Sequence, residues 1–286
     1  MTIRYLTFLL FFFPLLQQAP PSAPPPPRFE EAICQPFSPS PSGSGLIFDP
    51  DDFVLIEGDT FEMGCTGEQK NCGDDEKPVH QVTLSDFYIG KYEVTQKQWR
   101  MVMGSHPRNL YNTGCEDCPV EGVSWDAVQK FLKKLNRSLP AGQKPYRLPT
   151  EAEWEFAARG GTQSKNYQFA GSNALEDVGW YISNSYPGNT NGAQQTTRPV
   201  GQKKANELGL YDMSGNVFEW CMDWFDSDYY ASSPQTNPTG PTSGYDRVLR
   251  GGSWYSNPRL CRVALRTCCP PDGHGNGFGF RLARSL

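Results

Sequence analysis

Basic charge is in short supply in this chain. Lysine and arginine number 26 against 31 aspartates and glutamates, for a formal net charge of −5. Nucleic acid needs a basic face, so it is excluded as the main partner. Histidine is scarcer, with 3 in the chain. His80, His106 and His274 have no motif around them. No Ser-His-Asp arrangement can be built, and His80, in a strand-like block, reads as structural. Phosphate-cradling loops are missing, since neither GxxxxGK(S/T) nor GxGxxG occurs. The apolar run Tyr5 to Leu16 is short for a membrane span. No internal repeat is visible, and beyond Gly161 no long periodic segment occurs.

Glycine (28) and proline (25) are abundant, which favours a loop-rich fold over long helices. The 286 residues suffice for one large domain or two small ones. A hydrophobic content of 37% and an aromatic content of 13% allow a sizeable core. Arg4 followed by an apolar run is the pattern of a secretory signal peptide, placed at 1–19. The alternative is an uncleaved N-terminal anchor, the one membrane contact expected. Cys34 lacks the small-residue context of a lipidation site. Residues 20–48 contain PPSAPPPPR and PFSPSPSGSG, a Pro/Ser-rich linker that should be extended and semi-rigid. The globular part is expected over 49–286. Export places the chain in the periplasm, at the cell surface or outside the cell. There, 9 cysteines suggest disulfides. Cys65 with Cys72, and Cys115 with Cys118, can each close locally; a zinc site built from the four is the alternative.

Strands are expected at 53–56 and 60–63, in a block ending at Leu84, and at 87–89 and 92–94. Thr95 to Gln98 forms a capping box that opens a helix with Trp99 and Val102 inward. Ser124 caps a second helix, whose apolar face is Val128, Phe131, Leu132 and Leu135. Thr150 to Glu153 is another box, opening a helix with Trp154 and Phe156 that stops at Gly160-Gly161. The loops beyond need pinning by disulfide, metal or aromatic packing, for which Trp180, Trp220, Trp224 and Trp254 are candidates.

The stretch from Arg247 to Leu282 fits neither a strand nor a helix period between its ends. Gly251-Gly252 allows close approach or positive φ, and Gly279 to Leu282 reads as a short strand. Exposed loop and edge held between two anchors suits a binding surface.

Several blocks together resemble the formylglycine-generating-enzyme, or sulfatase-modifying-factor, domain family. They are FVLIEGDTFEMG (53–64), DEKPVHQVTLSDFYIGKYEVTQKQW (75–99), PVEGVSWDAV (119–128), YRLPTEAEWEFAARGG (146–161), ELGLYDMSGNVFEW (207–220), RVLRGGSW (247–254) and GFRLA (279–283). The resemblance implies an α+β, elaborated C-type-lectin-like fold: a small twisted antiparallel sheet, two or three helices and much loop. The family's oxidases bind copper through two cysteines spaced C-x4-C after the GGS motif. The matching positions here are Ser256 and Cys261. A hydroxyl is a poor soft-metal ligand, so the copper site is broken and oxidase activity is not expected; Cys261 is then a buried thiol or a partner for Cys221. The family's calcium loop carries over better, onto Asp212, Gly215, Val217 and Glu219, where oxygen ligands suit structural Ca²⁺. Alternatively Asp212 and Asn216 cap backbone amides in a turn.

The C-terminal stretch also resembles variable proteins of diversity-generating retroelements, whose asparagine-rich segments align to it without a gap. The fixed positions match Trp254, Cys261, Arg262, Val263, Arg266, Pro271, Asp272, Gly279 and Phe280. Tyr255, Ser256, Leu260, Leu265, Thr267, Cys268, Cys269, Gly273, Gly275 and Gly277 stand where asparagine is expected. Those systems mutate template adenines, so AAY codons become NNY, which cannot encode Lys, Glu, Gln, Trp or Met. None of these occurs at the ten positions, whereas His274 for arginine is not explained this way.

The resemblance implies an exported ligand-binding protein with a variable region at 254–278, exposed on one face. Its expected contacts are Tyr255, Ser256, Asn257, Arg259, Leu260, Leu265, Thr267, Cys268, Cys269, Gly273, His274, Gly275 and Asn276. The expected partner is a protein or cell-surface ligand, because aromatic and arginine side chains are favoured anchors. The alternatives are a divergent oxidase and a cell-envelope assembly component.

Overall fold

A computed structural model describes residues 48–186 and 196–286. The expected signal peptide, Cys34 and nearly all of the linker lie outside the described residues. Among the described residues no helix is long and apolar enough to cross a membrane.

The chain opens with β1 (Phe53–Ile56), β2 (Thr60–Met63), β3 (His80–Thr83) and β4 (Phe87–Gly90). Residues 92–94 are not a strand. They run as loop, with Val94 bonded on one side to Phe280 and on the other to Val120. Helix α1 (Gln96–Met103) starts at the Thr95 capping box and ends at Gly104 in the left-handed region. Helix α2 (Trp125–Asn136) is capped by the Ser124 hydroxyl and buries the apolar stripe expected of it. After β5 (Tyr146–Arg147), the Thr150 box opens α3 (Glu151–Ala158).

All eight residues of α3 are buried, including three glutamates. Each glutamate has an arginine partner: Arg266 for Glu151, Arg147 for Glu153 and Arg250 for Glu155. A charged side chain is buried only when paired in this way. Beyond the short α4 (Leu175–Val178) come β6 (Phe218–Trp224), β7 (Arg247–Arg250), β8 (Thr267–Cys269), β9 (Phe278–Gly279) and β10 (Ala283–Ser285).

One sheet has the order β1-β4-β10-β5, a second is the β2-β3 ladder, and a third has the order β8-β7-β6-β9. The sheets are not wholly antiparallel, because β9 runs parallel to β6. The strand expected over 279–282 is also displaced. The chain leaves one sheet after Gly279 and joins another at Ala283. Between them Arg281 turns inward to Glu219 and to the carbonyls of Gly90 and Tyr211. The class is α+β, an elaborated C-type-lectin-like fold with few helices, small sheets and much loop.

Two apolar clusters form the core. One gathers Trp154 and Phe156 of α3 with Met63, Val82, Phe87 and Ile89. The other gathers Trp99, Phe131 and Leu135 of the first two helices with Trp220, Leu249 and Phe280. The disulfides Cys65–Cys72 and Cys115–Cys118 both form, and a four-cysteine zinc site is thereby excluded. Both lie before the irregular half, which is pinned instead by buried ion pairs.

Candidate functional site

The glycine pair at the end of β7 sets up the C-terminal stretch. Gly252 has φ +78°, and a Cβ there would stand 2.6 Å from Cys261 Sγ. The chain therefore folds back tightly onto the short 3-10 turn Pro258–Cys261. Beneath it, Ser256 is 1% exposed. Its hydroxyl accepts from Ser253 N and meets the Ser253 hydroxyl, both at 3.0 Å. Cys261 is fully buried, and burial pushes its thiol up to about 12. A hydroxyl tied to Ser253 is a poor soft-metal ligand and leaves Cys261 as a single thiol, so these two residues do not fit a two-thiolate copper site. Cys221 is a second buried free thiol and is not joined to Cys261.

The expected fixed positions turn out to be anchors. Arg262 pairs with Glu76 through two bonds of 2.6 and 2.7 Å. Arg266 pairs with Glu151 at 2.7 and 2.9 Å. Burial alone would raise the Glu151 carboxyl, but Arg266 and Arg250 outweigh it and hold the group below its usual range. Trp254, Val263 and Phe280 are buried. A Cβ at Gly279 would meet the Val120 carbonyl at 2.6 Å. Pro271 and Asp272 are the exceptions, half-buried and exposed.

Between these anchors lie the expected contact residues. Asn257, Arg259, His274 and Asn276 are exposed. Tyr255, Leu260, Thr267, Cys268, Cys269, Gly273 and Gly275 are half-buried. Ser256 and Leu265 are buried, which corrects their placement on the surface. Ser256 is held inward by Ser253, and Leu265 packs in the cluster with Trp220 and Leu249. β8 and β9 are the two edges of their sheet, so the segment spans its width, roughly 14 Å across three strand spacings.

The structure adds a neighbour that the sequence did not show. Tyr111 is 44% exposed. Its ring stacks on Trp254 at 5.9 Å and 8°, and Trp254 meets Tyr255 edge-on at 4.8 Å. Glu121 fixes the Tyr111 backbone, because its Oε1 accepts from Tyr111 N and Asn112 N at 2.7 and 2.8 Å. The other oxygen, Oε2, is buried with no partner. Burial pushes the Glu121 carboxyl up to about 7, against the lowering effect of the two backbone bonds. The loop holding Tyr111 has no period; its sequence signals were the Cys115–Cys118 pair and the block beginning at Pro119.

The expected calcium loop is partly assembled. Asp212 Oδ2 accepts from Gly201 N at 2.7 Å, and Asn216 Oδ1 accepts from Arg198 N at 3.0 Å, so both side chains do cap backbone amides. Asp212 Oδ1 is nevertheless buried and unpaired. Burial pushes this carboxyl up to about 6, and it raises Glu93 well above its usual range, with Asp212 adding to it. Glu219 is committed elsewhere: both oxygens take Arg281 at 2.6 Å, and Oε2 also takes Trp154 Nε1 at 2.7 Å. Asp212 thus offers one free oxygen of the kind a hard cation takes, but Glu219 is taken up by Arg281. Among the described residues no three His, Cys, Asp or Glu side chains gather as a metal-holding group.

Comparison with known proteins identifies the family. The family model "Sulfatase-modifying factor enzyme 1-like domain" matches residues 45–286. The chain is 37% identical to the chaperone protein LppX of Paenibacillus barcinonensis, over 85% of this chain and 93% of that one. It is 32% identical to the formylglycine-generating enzyme of Streptomyces coelicolor, over 80% and 88%. Treponema denticola variable protein 1 superposes with a TM-score of 0.69 at 32% identity, over 82% of this chain and 95% of that structure. The chain belongs to the sulfatase-modifying-factor enzyme 1-like family.

Proposed function

We propose that this is an exported ligand-binding protein whose contact surface is the exposed part of residues 254–278. One observation carries the reading: the segment alternates between buried anchors and exposed side chains. Arg262 and Arg266 hold the backbone, so Asn257, Arg259, His274 and Asn276 can change without loosening the fold. The likeness to a variable protein supports a diversified surface of the retroelement kind. The two local disulfides support export, since such bonds persist in oxidising compartments. The partner is a protein or cell-surface ligand, met by aromatic and arginine contacts. Calcium at Asp212, with the carbonyls of Gly215 and Val217, braces the neighbouring loop in this reading.

The experiment is a displayed library randomised at Tyr255, Asn257, Arg259, Leu260, His274 and Asn276. Folded display across the library, with binders selected against unrelated proteins, is the expected result. Loss of folding in most members would overturn the reading. The 37% identity to a protein named a chaperone favours a second reading, assistance to another envelope protein. Suppression of aggregation by a variant with the exposed Asn257, Arg259, His274 and Asn276 all replaced would decide for it.

A further inference from the structure

A cleft of about 210 Å³ is lined by α1, the 107–109 loop, residues 122–127 and His274. Its floor is apolar, made by Trp99, Val123 and Ala127. Its rim carries Arg108 and Asn109 on one side and His274 on the other. All three rim residues are exposed.

Gly122 joins the two walls. Its N–H donates to the Gly275 carbonyl at 3.0 Å, which fixes the backbone next to His274. Its missing side chain admits the other wall, because a Cβ there would stand 2.2 Å from the Asn109 carbonyl. Gly122 also has φ +70°, a conformation that favours glycine. Glu121 then ties the same loop through Tyr111 and Asn112, and Gln96 Nε2 donates to the Asn112 carbonyl at 2.8 Å. The Cys115–Cys118 disulfide closes the loop further along. The cleft is thus a pre-organised feature, with one wall from the diversified segment and one from outside it.

Charge gives its chemistry. Among the described residues Arg108 has no acidic partner, in a chain whose net charge is −5. Its near neighbour His106 is different, since it shares Glu116 with Arg100. Asp126 and Asp272 do not line the cleft. A guanidinium and an imidazole over an apolar floor suit a carboxylate on a short aliphatic stem.

From this we infer that the Arg108–His274 cleft is the anchor pocket of the binding face and takes an aspartate or glutamate side chain of a protein partner. The inference rests on the binding function proposed above and deepens it. It makes Arg108 a contact residue outside the 254–278 segment, while His274 lines the pocket from within it.

The test uses the full chain, labelled with ¹⁵N, and two small probes. N-acetyl-glutamate amide carries the carboxylate, and N-acetyl-glutamine amide is its neutral isostere. Saturable shifts at Arg108, Asn109 and His274 are expected with the glutamate probe. About tenfold weaker binding is expected with the glutamine probe, and a similar loss in Arg108→Ala. Lys165→Ala, at an exposed position outside the cleft, should leave the response unchanged. Equal response to both probes, shifts confined to other sites, no saturable shift, or full affinity in Arg108→Ala would each overturn the assignment. The probes report on the cleft without a partner, so this result stands apart from failure of the library selection.

Discussion

Removing the guanidinium of Arg262 should cost far more than removing that of Arg259, three residues away in the same segment. Arg262 is fully buried and Glu76 is 1% exposed. Two short bonds join them, and Arg262 Nε also donates to the Arg259 carbonyl at 3.1 Å. Arg262→Ala leaves a buried carboxylate with no counter-charge. Breaking one side of such a pair costs about 3–5 kcal/mol. For a domain of this size that corresponds to a fall in Tm of roughly 6–20 °C, at about 2–4 °C per kcal/mol. Arg259 is exposed and donates to the Asn71 carbonyl at 3.0 Å. Arg259→Ala should therefore change stability by no more than about 0.5 kcal/mol. The assay is urea denaturation followed by tryptophan fluorescence, with the disulfides intact. Arg262→Met combined with Glu76→Gln serves as a control, because it removes both charges and should recover most of the loss. Equal costs for Arg262→Ala and Arg259→Ala would refute the division into anchors and free positions.

Three further outcomes follow from the same geometry. Calcium should raise Tm by several degrees and a chelator should reverse this, with Asp212→Asn abolishing the response; an unchanged Tm in wild type would remove calcium from the account. Glu121 has a folded-state pKa raised from 4.5 to about 7, so its contribution is fully present below about 4.5 and is lost as pH rises to about 7. Urea midpoints across that window should fall less steeply in Glu121→Gln than in wild type, and parallel slopes would count against the buried carboxyl. Iodoacetamide should modify the half-buried Cys268 and Cys269 before the buried Cys221 and Cys261. All four thiols are pushed up by burial, so the reaction near neutral pH should be slow. Rapid modification of Cys261 would revive an oxidase reading.

What the sequence disclosed was mostly local. The boxes at Thr95 and Thr150 and the cap at Ser124 each work through a residue three positions on, so they mark their helices directly. The stripe Val128, Phe131, Leu132 and Leu135 is local in the same sense. Glu151 and Glu155 were legible as helix residues but not as partners for Arg266 and Arg250, which lie 115 and 95 residues away. No local pattern records such a pairing. Arg281 shows the consequence, because its inward turn to Glu219 breaks the strand that GFRL suggests. The proposed contact face was legible only as a segment, together with the buried anchors that family resemblance picked out. The residues beside that segment were not, since Arg108 and Tyr111 sit in an aperiodic polar loop and Tyr111 meets the segment through its long-range stack on Trp254. The burial of Ser256 and Leu265 was hidden for the same reason: a one-residue change in direction separates inside from outside in a loop without a period.

The most direct test of the binding claim is hydroxyl-radical footprinting of the full chain, free and in complex with a partner selected from the library. The account predicts protection at Tyr255, Leu260, His274 and Tyr111, with no change at Tyr245, which is 94% exposed and belongs to a different loop. Protection confined to residues outside the 254–278 segment and the Tyr111 loop would contradict it.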